Sequence, residues 1–90
     1  MKRAIVTVMG KDSKGIIAAV SGTLFLHGVN ILDISQTLLA EYSTMAIMAD
    51  LTDLNVSFHE LKEELDTLGK ALNISVNIQR EELFNAMNKV

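Results

Sequence analysis

The chain has 90 residues and no cysteine, proline or tryptophan, with one tyrosine, three phenylalanines and five glycines. Without cysteine there can be no disulfide framework, no thiolate zinc site and no iron–sulfur cluster. With so few aromatics, a core must be built from aliphatic side chains. No run of 18 apolar residues occurs, so no membrane-spanning helix is expected. Lys2-Arg3 and the apolar stretch behind them give way at Gly10-Lys11-Asp12, too soon for most secretory leaders, and a cytoplasmic protein is the simplest expectation. What remains is ample: 49% of residues are hydrophobic and 21% charged, the balance of a globular domain. The formal net charge is −3. It argues against general nucleic-acid binding, which requires many phosphates to be neutralised. The charge is uneven, however. Residues 1–30 carry four basic groups against one acidic, a net of +3, and residues 31–90 carry four against ten, a net of −6.

Hydrophobic periodicity divides the chain into alternating elements. Residues 3–9 are β-branched and apolar on both alternating sets, the pattern of a central strand covered on both faces. Gly10 to Gly15 reads as a loop, with Asp12 or Ser13 able to cap a helix that runs to about His27. Ile16, Val20, Leu24 and His27 form its stripe, widened by Ile17, Ala19 and Leu26. Gly28 then stands where a left-handed residue closes a helix, while Gly22 suggests a close approach by another element. A second strand spans Val29 to Leu39, and a turn at residues 40–43 leads into a third strand, Thr44 to Leu51; so short a connection makes an antiparallel hairpin. Ser57 and Glu60 form a capping box ahead of a helix with Phe58, Leu61, Leu65, Leu68 and Leu72 on one stripe. Ile74, Val76 and Ile78 alternate with polar residues in a fourth strand, and residues 81–89 suggest a short helix.

The order β-α-β-β-α-β with right-handed crossovers predicts an α+β, ferredoxin-like sandwich: an antiparallel sheet in the order 4-1-3-2 with a short C-terminal helix. The expected organisation is one domain over residues 1–80 with residues 81–90 as its helical extension. Two helices would cover one sheet face, leaving the other for the terminal helix or a partner chain.

Little in the sequence points to catalysis. Ser13 reads as a helix cap, and His27 and His59 lie on different helices. Glu60, Glu63, Glu64 and Asp66 read as the wet face of the second helix. The same fold serves RNA-recognition motifs, but the central strands offer Ile5, Thr7, Met9, Thr44, Ala46 and Met48, and none can stack a base. It also serves acylphosphatases, whose chemistry needs an Arg in the first loop and an Asn on the third strand; neither is present. The informative segment is Gly10-Lys11-Asp12-Ser13-Lys14-Gly15-Ile16-Ile17. Loop amides followed by a helix N-terminus make a site for a carboxylate or another anion, although the same residues also make an ordinary capped turn.

That segment, followed by Leu24-Phe25-Leu26-His27-Gly28-Val29-Asn30-Ile31 and continued through Asp33-Ile34-Ser35-Gln36, resembles the ACT domain, a small module that binds amino acids in many metabolic proteins. The likeness covers residues 1–80 and is strongest to the branch found in the glycine cleavage system repressor and formyltetrahydrofolate deformylase. One departure is Lys14, where many members carry proline. The resemblance implies a regulatory module without catalysis and without a cofactor, sensing an amino acid or related metabolite as a homodimer. It places the effector between Gly10, Asp12, Ser13, Lys14 and Gly15 on one side and Asn30 and Ile31 on the other. Asp12 would take an α-amino group, and Lys14 or the loop amides a carboxylate. The alternative is a protein–protein interaction module that pairs with a partner without binding an effector.

Overall fold

A computed structural model describes residues 2–11 and 15–83. Six elements follow in the order β1 (Arg3–Lys11), α1 (Ile16–Leu26), β2 (Asn30–Leu39), β3 (Tyr42–Asp50), α2 (Phe58–Leu72) and β4 (Ser75–Arg80). The sheet order is β2-β3-β1-β4, which is the expected 4-1-3-2 read from the other edge, and every pairing is antiparallel. Residues 81–83 continue into helix, whereas the rest of the expected terminal helix lies outside the described residues.

Alternation on the two central strands sorts the core. Ala4, Val6 and Val8 of β1 stand opposite Ala49, Ile47 and Met45 of β3, and Val6 and Val8 also stand opposite Ile78 and Val76 of β4. All of these are buried, beneath Ile16, Val20 and Leu24 of α1 and Leu61 and Leu65 of α2. Such cover transfers aliphatic surface from water at about 25 cal/mol per Å². The alternate residues of β1 face the other way. Ile5 and Thr7 are half-buried and Met9 is 48% exposed, so among the described residues of one chain the second face of this central strand is only partly covered.

Both helices end in the same device. At the end of α1 the Gly28 N–H donates to the Phe25 carbonyl (3.1 Å) and the Val29 N–H to that of Leu24 (3.0 Å), with Gly28 at φ 77°. At the end of α2, Asn73 takes the left-handed position at φ 57°, and the Ile74 N–H reaches the Gly69 carbonyl (2.9 Å). This is the Schellman closure, which satisfies carbonyls that have no partner further along the helix. The α2 start also follows expectation, with the Ser57 hydroxyl accepting the Glu60 N–H at 3.1 Å.

Several local expectations are corrected. β1 continues through Gly10 and Lys11, because Gly10 is still paired with Ser43 and lets the Ile74 side chain approach. The residue at the N-cap of α1 is Gly15, in left-handed conformation, instead of Asp12 or Ser13. Ile17 and Leu26 do not widen the buried stripe; they are 39% and 69% exposed. Gly22 meets no neighbouring element, whereas Gly69 on α2 does: a Cβ there would lie 2.8 Å from the Ile74 carbonyl oxygen. The turn is only Ala40-Glu41, so β3 begins at Tyr42. Simple alternation along β2 would put Leu32 on one face with Ile34, but a bulge at Leu32 shifts the register, so Ile31 shares the helix-side face with Ile34.

Gly28→Ala should destabilise the fold by about 2–3 kcal/mol in chemical denaturation, since the added Cβ would sit 2.3 Å from the Asp53 carbonyl oxygen at a positive φ. Ala40 holds φ 54° at the first position of a two-residue hairpin loop. Ala40→Gly should therefore raise stability by about 0.5–1 kcal/mol in the same assay.

Candidate functional site

The register fixes where the two halves of the expected effector site fall. At one end of the sheet Arg3 pairs with Asp50, and Asp50 with Asn30; at the other Gly10 pairs with Ser43, and Lys11 lies level with Tyr42 and Leu39. From Arg3 to Gly10 is roughly 23 Å of extended strand. Gly15 and Asn30 lie at opposite ends of α1, an 11-residue helix about 16 Å long. A single chain therefore does not bring Gly10 and Gly15 together with Asn30 and Ile31. Asp12, Ser13 and Lys14 lie outside the described residues.

The Asn30–Ile31 half is a groove of about 520 Å³ between α1 and the start of β2, lined by Ala18, Ser21, Gly22, Phe25, Val29, Asn30 and Ile31. Phe25 is 83% exposed on its wall. The hydroxyls of Ser21 and Thr23 donate to carbonyls one turn back in α1, so this helix face presents no unmet hydroxyl. β2 beside it is an edge strand, and its helix-side residues Ile34 and Leu38 remain 43% and 60% exposed because α1 covers β2 only near its start.

The turn behind this end of α1 is clasped by residues that the sequence did not single out. The Asn55 side chain donates through Nδ2 to the Leu26 carbonyl (3.1 Å), which aims its Oδ1 at His27 Nδ1 (3.2 Å). The Asn55 N–H donates to the His27 carbonyl (3.0 Å). His27 Nε2 lies against the Glu64 carboxylate of α2, off the line of a hydrogen bond. The His27 side chain thus ties α1 to α2 and the loop, while its backbone N–H donates to the Leu24 carbonyl (3.2 Å). Glu64 makes this contact while remaining on the exposed face of α2, and His59 pairs with Glu63 on an exposed turn (3.0 Å). No group of three or more His, Asp or Glu side chains among the described residues is placed to hold a metal ion.

A second concavity, of about 690 Å³, opens at the same end of the sheet, beneath the start of β1 and the end of β4. Its apolar wall comes from Leu51, Leu54 and Val56 of the β3–α2 connection and from Phe58 at the start of α2. Lys2, Arg3, Arg80, Glu81 and Glu82 stand around it. The connection is held by Asp50, whose Oδ1 accepts the Thr52 N–H (3.0 Å) and the Thr52 hydroxyl (2.6 Å). The Thr52 hydroxyl, and after it the Thr52 N–H, hold the Asp50 carboxyl below the usual 3.8. With its pKa depressed in the folded state, Asp50 contributes stability that is present above the unfolded value and lost as pH falls through the folded one. Stability should thus decline below about pH 4. Thr52→Val, which removes the hydroxyl donor, should flatten that decline in denaturation curves taken from neutral to acid pH.

No helix among the described residues is long and apolar enough to cross a membrane. The family model of the ACT domain matches residues 2–79. A UPF0237 protein of Clostridium acetobutylicum is 53% identical over 88 residues, covering 98% of this chain and 99% of that protein. An ACT domain protein from Streptococcus pneumoniae superposes with a TM-score of 0.80 at 44% identity, over 92% of this chain and 93% of that one. A formyltetrahydrofolate deformylase from Pseudomonas syringae superposes equally well, at 0.80, but with 18% identity and over only 28% of its own length, so it shares the fold of one domain. ACT domains are generally regulatory modules that bind small molecules. By sequence and by fold, this chain belongs to the ACT-domain family, among its UPF0237 proteins.

Proposed function

We propose that the chain is a cytoplasmic, non-catalytic regulatory module that binds an amino acid or related small metabolite as a homodimer. The observation that carries this reading is the division of the expected site between opposite ends of one chain, with an uncovered edge strand between them. β2 runs from the Asn30 end of the sheet to the Gly10 end. Antiparallel pairing of β2 with β2 of a second copy, about a two-fold axis, reverses those ends. Asn30 and Ile31 of each copy then lie at the same end as loop 10–15 of the other. The same pairing covers Ile34 and Leu38 and brings the bare α1 faces around Ala18, Gly22 and Phe25 toward one another. An edge with open hydrogen-bonding groups and an adjacent apolar groove gains on both counts.

Two sites form per dimer on this reading. The amides at the start of α1, where Gly15 supplies no capping side chain, face an effector carboxylate together with Lys14. Asp12 faces the ammonium group. Asn30 and Ile31 of the second copy close the other wall, the amide through hydrogen bonds and the isoleucine through apolar contact. Gly10 and Ser13 complete the loop side.

A second reading rests on the same edge. β2 would equally accept the edge strand of a different ACT domain, giving an interaction module that regulates its partner without an effector.

Light scattering should return a dimer, and isothermal titration against a panel of amino acids should give heat with at least one. Phe25→Glu places a charge on the proposed helix contact and should yield a folded monomer of 9.9 kDa that no longer binds. Asn30→Ala should weaken binding about ten-fold. A monomeric wild-type protein silent toward every amino acid would favour the second reading.

A further inference from the structure

We propose that the 690 Å³ cavity at the β1–β4 end is a binding site in its own right, complete within one chain, for an organic carboxylate with an apolar body. Its volume lies in the range of small-molecule sites, and its walls are of two kinds, as such sites require. The connection between β3 and α2 carries Leu51, Leu54 and Val56, an unusual density of aliphatics for a loop. Leu51 is buried, but Leu54, Val56 and Phe58 remain half-exposed, and all four line the cavity. An apolar body seated there would finish burying a surface that the fold leaves partly in water.

The polar side of the cavity selects for one negative charge. Arg3 is already matched, its Nε donating to Glu81 Oε1 at 3.1 Å and its terminal nitrogen pairing with the other carboxylate oxygen. Lys2 and Arg80 have no carboxylate partner among the described residues. The Arg80 guanidinium lies 4.3 Å from the centre of the Phe58 ring, which holds its plane over the apolar wall. A guanidinium so placed offers two parallel N–H donors to a carboxylate, with Lys2 adding a point charge. Glu82 on the same rim disfavours a dianion such as a phosphate monoester. The walls of the cavity are also pinned. The Leu51 N–H donates to the Lys2 carbonyl (2.6 Å), and Asp50 holds the turn through Thr52.

This site is distinct from the one proposed between α1 and β2, and it needs no second copy. The test uses 3-phenylpropionate as the carboxylate probe and 3-phenylpropionamide as its uncharged counterpart, each titrated into the 15N-labelled full chain. The carboxylate should shift amides at residues 51–58 and 80–82, and should bind about ten-fold more tightly than the amide. Arg80→Gln should abolish most of that preference. Equal affinity for the two probes, or shifts confined to other parts of the chain, would overturn the proposal. The comparison of probes on the wild-type protein decides the matter even if Arg80→Gln fails to fold. Shifts at Gly10, Gly15 and Asn30 instead would report the effector site, so the two readings fail separately.

Discussion

Val6 and Val8 of β1 stand between Ile47 and Met45 on one side and Ile78 and Val76 on the other, beneath both helices. Everything else in the molecule follows from that central row. Because β1 takes β3 and β4 as neighbours, β2 and β4 become edges. Because α1 and α2 both close over the helix-side residues, no described element covers the opposite face, and Ile5, Met9 and Met48 are only partly buried among the described residues. Because the two crossovers consume both helices on four strands, α1 meets β2 only near its start. The open edge and the exposed Ile34 and Leu38 are consequences of topology rather than local accidents.

The elements that were legible in the sequence are those in which one local signal agrees with tertiary packing. The 3.6-residue stripe of α2, the alternation of β4 and the glycine closing α1 each say the same thing at both levels. The misreadings came where two placements share a composition. Ile17 and Leu26 extend an apolar stripe on paper, yet α1 has only one buried side. In β2 a single bulge at Leu32 exchanges which residues face the helices, and no residue type announces it. Gly10 carries the signature of a turn but serves a close contact with Ile74, a residue far away in sequence.

The geometry of the candidate site was hidden from the sequence for a related reason. Gly10 to Gly15 and Asn30-Ile31 could be recognised as motifs, but distance between motifs is not written in spacing. Gly15 and Asn30 are fifteen positions apart, and a helix between them keeps them about one helix length apart. The clasp of His27 by Asn55 and Glu64 escaped notice because its three members come from three different elements. The cavity beside Phe58 escaped for the same reason: Lys2 and Arg80 are 78 positions apart and meet only because β1 and β4 are neighbours.

On the proposed reading, division of the effector site between two copies would have a thermodynamic consequence that a one-chain site would lack. When both walls must come from different copies, the monomer offers only half of the contacts, and the dimer binds the ligand far better than the monomer does. By linkage, ligand then stabilises the dimer by the same free energy by which dimerisation improves ligand binding. An effector at concentrations well above its dissociation constant would thereby shift the association equilibrium of a chain whose own edge contact is modest. A 90-residue chain with an aliphatic core and no disulfide leaves little stability in reserve, so association would also feed back on folding. A module of this kind needs no reacting groups in its site. On the proposed reading its output would be the state of its β2 edge, the surface that a larger regulated assembly could read.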